Sequence, residues 1–281
     1  MKPYFVSFHP GISMEVNLPV FSPLDDPDVQ SLLRSAAGVL LPSYVTPRRY
    51  RMITRCCRSW FPRLDTRFRS CGKTAQITLF RNQGVRHPET VIFRDAVELQ
   101  GYVARRDPPG GYPCVLKGDM GGGGSTVFPV RNREDMSRCL DRLPPDQPML
   151  LQKWVNHGGR DLRVVVYGSQ TVSYFRVGDG RFYNNVCRGG RLDHEGRPDL
   201  QQKGIEAVRA FCHAVAIDVA GFDLMFLDDG PPVFIEINFH FGRKGLGGSS
   251  GHRRFWARAV QQWRAACLEN ALPQSAWIEP Y

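Results

Sequence analysis

The chain has 281 residues, with 37 Lys plus Arg against 27 Asp plus Glu, a formal net charge of +10; six of these cations are Lys and thirty-one are Arg. Apolar content of 42% and charged content of 23% are ordinary for a globular chain and exclude global disorder; no stretch approaches a membrane span, and Met1 to Met14 lacks the apolar core of a secretory signal. Eight scattered Cys, with one adjacent pair at Cys56 and Cys57 and no C-x-x-C, fit neither a zinc site nor a disulfide framework, so the expectation is a cytoplasmic protein with reduced thiols and an anionic partner of unspecified class.

In chain order, Tyr4–Phe8 and Ala37–Leu41 read as short strands, separated by a Pro- and Asp-rich stretch, Pro19–Asp28. An Arg-rich segment, Arg48–Arg69, follows. Thr74–Asn82 reads as a helix that Gly84 closes. Pro113–Lys117 and Val127–Val130 read as strands around a glycine run, and Arg133–Leu143 as a helix stopped by Pro144 and Pro145. Strands are expected at Met149–Val155, Asp161–Tyr167 and Thr171–Val177. A helix over Leu200–Val215 carries Ile205, Val208, Phe211 and Val215 on one face. Strands Gly221–Leu227 and Val233–Asn238 and a closing helix, His252–Asn270, complete the pattern. Helices alternate with strands joined by tight turns, which predicts an α+β fold with antiparallel sheets.

Three motifs carry chemistry. The first is Lys117-Gly-Asp-Met-Gly-Gly-Gly-Gly-Ser-Thr-Val, in which successive glycines let backbone N–H groups converge on an anion. It lacks the G-K-[ST] of a Walker loop and opens no helix. The second is residues 221–238. With the turn placed at Asp228–Pro231, Asp223 lies opposite Glu236, and Asn238 shares their face, a set of oxygen donors suited to Mg²⁺. The third is residues 159–177. A Gly168-Ser169 turn sets Asp161 against Arg176, with Arg163 on the same face, able to hold a polyphosphate or a developing oxyanion. A nearby loop adds Asn185, Arg188 and Arg191.

In this order the motifs resemble the ATP-grasp superfamily, in the branch containing glutathione synthetase and the ribosomal-protein glutamate ligase. The resemblance runs over about residues 70–270: Gly72-Lys73, Gly84-Val-Arg-His-Pro88-Glu-Thr90, Lys117 with the glycine loop, Gln152-Lys-Trp-Val155, Gly159-Arg-Asp161-Leu-Arg163, Arg176, Asn185, Asp223 and Glu236-Ile-Asn238. It implies an ATP-grasp fold of two α+β subdomains gripping the nucleotide. Their spans would be about 71–155 and 156–275, preceded by a short α/β domain over residues 1–70.

It further implies ATP and two Mg²⁺ as cofactors. Lys73, Lys117, Gln152, Lys153, Val155 and Asp161 would contact nucleotide, the last hinge pair through backbone to adenine. Gly121, Gly122, Gly123, Gly124 and Ser125 would form a lid over the phosphates. Asp223, Glu236 and Asn238 would hold metal, and Arg163, Arg176 and Asn185 would serve the reacting groups. The implied reaction is activation of a carboxylate as acyl-phosphate and attack by an amine. Its partners would be an acidic small molecule or peptide and an amine acceptor, with no membrane role and an oligomeric state left open.

Three features depart from the family. Lys153 stands where hinges often carry Glu, Phe239-His240-Phe241-Gly242 replaces S-P-G after the metal Asn, and the N-terminal domain is short. An ATP-grasp kinase and a non-catalytic nucleotide-binding module stay open as alternatives. Nucleic-acid binding through the Arg48–Arg69 run is the blander reading, with no recognised module beside it.

Overall fold

The computed structural model describes residues 2–178 and 190–269. Its elements fall into three sheets. The first holds β1 (Phe5–Ser7), β2 (Val16–Asn17), β3 (Gly38–Leu40) and β4 (Trp60–Phe61), all parallel, in the order β2-β1-β3-β4. Helices α1 (Pro27–Ser35), α2 (Pro47–Thr54) and α3 (Asp65–Arg69) accompany it. Charge and proline content hid α1 and α2 in the sequence, yet both start where an N-cap precedes a proline. The Asp26 carboxylate accepts from the Asp28 N–H, and the Thr46 hydroxyl from the Arg49 N–H.

Helix α4 (Lys73–Asn82) leads to the second sheet, built from β5 (Thr90–Phe93), β6 (Cys114–Gly118), β7 (Val127–Val130) and β8 (Met149–Lys153). Its order is β5-β8-β6-β7, antiparallel throughout, and it carries α5 (Ala96–Val103) and α6 (Arg133–Leu140). The third sheet comprises β9 (Arg160–Tyr167), β10 (Gln170–Val177), β11 (Arg191–Asp193), β12 (Val219–Met225) and β13 (Val233–Asn238). It is also antiparallel, in the order β11-β10-β9-β12-β13. Helix α7 (Pro198–Val215) packs on it, and α8 (Gly248–Glu269) closes the described chain. The mixture is the expected α+β one. Helix α6 is shorter than expected and α8 starts a turn earlier, whereas the short elements β2, β4, α3, β5, α5 and β11 carry no clear sequence pattern.

Two glycines set how closely the layers approach. A Cβ on Gly204 of α7 would lie 2.4 Å from Leu162 Cδ2 of β9, so only glycine lets this helix sit down on the third sheet. A Cβ on Gly38 of β3 would lie 2.6 Å from Trp263 Cζ2 of α8. Helix α8 thereby bridges the first and third sheets, with Trp256, Ala259 and Val260 in one cluster with Leu40, Val165 and Tyr167. Arg63 reinforces this junction: its N–H and guanidinium both reach the Asp218 carboxylate, at 2.7 Å and 2.5 Å.

Candidate active site

The second and third sheets face each other across a cavity. Lys117 and Val115 of β6, Val127 of β7 and Gln152 and Lys153 of β8 come from one wall; Asp161, Arg176, Asp223, Met225 and Glu236 come from the other. Lys73 at the start of α4 and glycines 121 and 124 complete the rim. Lys73, the lysine of the glycine motif and the carboxylates of the two hairpins thus converge, although 163 positions separate Lys73 from Glu236.

The charged hairpin pairs as expected, with Asp161 opposite Arg176. The strand pairing adds a neighbour that no local pattern announces: Arg163 of β9 lies beside Asp223 of β12. Arg163 donates to Asp223 Oδ1 from Nε at 2.5 Å and to Oδ2 from Nη2 at 3.2 Å. Arg176 donates to Asp161 from Nε at 2.9 Å and again from Nη2, which also lies 3.0 Å from Asp223 Oδ1. These four side chains are all buried. Burial works against ionising Asp223, but Arg163 and Arg176 outweigh it and hold its carboxyl below the usual carboxylate range.

The carboxylate hairpin keeps its expected outcome by a different route. Asp223 does face Glu236, and Gly221 faces Asn238. The turn, however, closes at Leu227–Gly230, where Gly230 N–H donates to Leu227 O and Asp228 and Asp229 take positive φ. Next to the turn the register is one residue off, with Leu224 opposite Phe234, and an irregularity between Asp223 and Leu224 corrects it. The bulge has a consequence for the site. Successive strand residues normally point to opposite faces, yet both Ile235 and Glu236 line the cavity. Ile235, Met225 and Val115 form an apolar wall that sequence patterning did not mark.

Asn238 donates to Asp223 Oδ2 at 3.1 Å. Among the described residues Glu236 has one ion-pair neighbour, Lys73 Nζ at 3.9 Å. Burial and the Asp223 charge push the Glu236 carboxyl upward, against Lys73 and Lys117. Lys117 is buried, and burial lowers its ammonium to about 8 despite the attraction of Glu236. Among the described residues no three His, Cys, Asp or Glu side chains group closely enough to hold a metal ion. Two carboxylates and one amide are what the site brings together.

The glycine loop is latched at its base. Gly121, Gly123 and Gly124 have φ of +112°, +62° and +77°, which side-chain-bearing residues rarely adopt. Lys73 Nζ donates to Gly121 O at 2.9 Å. The Asp119 carboxylate accepts from Thr74 N–H at 2.8 Å and from its hydroxyl at 2.7 Å. Asp119 therefore occupies the place of an N-cap side chain for α4, whose own N-cap, Gly72, has none. In the hinge, the Lys153 N–H already donates to Glu89 O. That bond takes up the Lys153 N–H, and both Lys153 and Val155 line the cavity. Gln152 is buried and donates to Thr90 Oγ1 at 3.0 Å. Gln76, missed in the sequence, grips β13 from α4 by donating to Ile237 O and accepting from Ile237 N–H, at 2.9 and 2.8 Å. Asn185 lies outside the described residues, as does Arg188.

A model of the RimK-like ATP-grasp domain matches residues 71–252. The chain belongs to the RimK-like ATP-grasp family. Similar proteins include human N-acetylaspartylglutamate synthase A, 32% identical over 162 residues that cover 57% of this chain and 40% of that protein. The ribosomal protein bS6–L-glutamate ligase of Shigella boydii is 28% identical over 188 residues, covering 65% of this chain and 60% of the ligase. The chain spans about two fifths of the length of the N-acetylaspartylglutamate synthases it matches. Among solved structures, the D-alanine–D-alanine ligase of Bacillus anthracis has a TM-score of 0.59 at 13% identity, covering 91% of this chain and 86% of that one. A RimK-domain ATP-grasp protein of Sphaerobacter thermophilus has a TM-score of 0.54 at 16% identity, covering 82% and 81%. These likenesses establish the ATP-grasp fold. Among the described residues no helix is long and apolar enough to cross a membrane.

Proposed function

We propose that this protein is an ATP- and Mg²⁺-dependent ligase that activates a carboxylate as an acyl-phosphate and joins it to the amine of an acidic substrate. The observation that carries this reading is the convergence of Lys73, Lys117, Arg176, Asp223 and Glu236 in one cavity beneath a glycine loop. Phosphoryl transfer asks a protein for charge neutralisation and positioning more than for a nucleophile. Such an arrangement supplies both.

In this reading the apolar walls at Val115, Met225 and Ile235 hold the nucleotide base, with the Lys153 carbonyl and the Val155 N–H as its hydrogen-bonding edge. Lys73 and Lys117 neutralise phosphate oxygens. Gly121 to Ser125 turn backbone N–H groups onto the outer phosphates and exclude water. Asp161 orients Arg176, and Asp223 orients Arg163, so that both guanidiniums are fixed before charge develops on the transferred group. The donor chemistry fits Mg²⁺. Glu236 is a half-buried carboxylate opposed by Asp223, with Lys73 Nζ its one ion-pair neighbour among the described residues, so a cation there removes a repulsion. Glu236, Asp223 and Asn238 would hold the ions, which when bound neutralise phosphate charge. The similar proteins, N-acetylaspartylglutamate and β-citrylglutamate synthases and a glutamate ligase, support an acidic amino acid as the amine.

The test is ADP release from Mg-ATP across a panel of amino acids and acidic acceptors, with product mass identifying condensation or phosphorylation. Acceptor-dependent turnover is expected, and Glu236→Gln should abolish it. Unchanged turnover in that variant would overturn the metal assignment.

A further inference from the structure

A second cavity adjoins the first on the far side of the carboxylate pair. The two share Gly124, Arg176, Asp223 and Glu236. Lys73 and Lys117 line only the first; Arg163, Asn238, His240, Arg243 and Lys244 line only the second. Of the second cavity's cations, Arg243 and Lys244 have no part in the nucleotide reading.

The arginines beside the carboxylate pair are themselves paired: Arg163 and Arg176 each have a carboxylate within ion-pair distance. Among the described residues none lies within that distance of Arg67, Arg243 or Lys244. Arg67 is half-buried on α3 and reaches two groups without charge to offer it. It donates to Ser43 O, in the loop after the parallel strand β3, and lies 2.7 Å from His240 Nε2. That loop follows the carboxyl end of a parallel strand, the edge at which open α/β sheets bind ligands. The basic loop itself is pinned in place. A Cβ on Gly245 would lie 2.2 Å from the Tyr174 ring, so glycine lets residues 243–245 lie flat against β10. His240, Arg243 and Lys244 thus line one cavity, and Arg67 meets its wall through His240.

We propose that Arg67, His240, Arg243 and Lys244 form an anion clamp at the mouth of the second cavity that selects a substrate by a carboxylate other than the reacting group. The assignment rests on the ligase reading for what the cavity is used for, and it concerns residues at which this chain departs from the family pattern. It also accounts for part of the Arg-rich N-terminal segment: Arg63 docks it, Arg67 reaches the site, and Arg48, Arg51 and Arg55 face solvent.

The experiment pairs each charged probe with its neutral amide, L-glutamate with L-glutamine and L-aspartate with L-asparagine, and measures binding calorimetrically to the full chain with Mg-ADP present. A lost hydrogen bond to a charged group implies at least about a tenfold preference for the charged member of a pair. Arg243→Gln, at an exposed position whose side chain donates to Ser249 Oγ at 3.5 Å, should reduce that preference several-fold without changing the fold. Arg67→Gln should reduce it as well, with Arg67→Lys restoring part of it. Equal affinity within every pair, no binding of any probe, or a preference untouched by both glutamine variants would overturn the proposal. ADP release is measured in parallel. Selective binding without acceptor-dependent ADP release would sink the ligase reading and leave the clamp standing.

Discussion

Gly72→Ala tests how the lid base is built. Gly72 has φ −90° and ψ 158°, a conformation that alanine adopts freely, so the backbone makes no demand for glycine. Space does. An added Cβ would lie 2.2 Å from Asp119 Oδ2 and 2.6 Å from Oδ1. To regain an ordinary contact the carboxylate must retreat by roughly 1 Å or more, which removes its bonds to the Thr74 N–H and hydroxyl. A lost helix cap costs about 0.5–2 kcal/mol, and the positive Lys73 at the first helical position loses a compensating charge. We expect a loss near 2 kcal/mol in urea unfolding, and a weaker Mg-ATP affinity because Lys73 and Gly121 move with the loop. The decisive measurement is a double-mutant cycle with Asp119→Ala. With the carboxylate gone the clash goes too, so Gly72→Ala should be neutral in that background. It could even stabilise by about 0.4–1 kcal/mol, through reduced freedom of the unfolded chain. If the two single losses instead add within about 0.5 kcal/mol, the contact is not the cause and the latch is misread.

Three further expectations follow from the same geometry. Asp223→Asn leaves Arg163 and Arg176 buried without their shared carboxylate, and should destabilise by about 3–5 kcal/mol in chemical unfolding while abolishing turnover. Lys117, lowered to about 8 in the folded chain from 10.5, binds fewer protons folded than unfolded between those values. The stability of the wild-type chain relative to Lys117→Met should therefore rise with pH across that window. Mg-ATP binding there should take up a proton, seen as buffer-dependent heat in the wild type and absent in the variant. Gly245→Ala, forced against Tyr174, should raise the KM for the acidic substrate more than the KM for Mg-ATP in steady-state assays.

Much of this protein was legible in local pattern. Tight turns fixed the pairing of Asp161 with Arg176, because a two-residue hairpin leaves no freedom of register. The lysine before the glycine run and the alternating carboxylates of the 221–238 hairpin named most of the cavity's charged residues. The helices at Pro27 and Pro47 carried their own cap signals, masked by the weight given to charge and proline content. Residues whose role depends on another part of the chain were silent. Arg163 meets Asp223 only because β9 and β12 pair. Asp119 caps a helix that begins 46 positions before it, and Arg67 reaches His240 across 173 positions. Ile235 joins Glu236 in the cavity through a bulge that no alternation predicts. The sequence by itself determined which chemical groups the site has and the hairpins that carry them, since those follow from short-range backbone geometry. The tertiary structure alone decided which charges neutralise one another and which stand open to a ligand, since that depends on sheet pairing and helix docking between segments far apart in the chain.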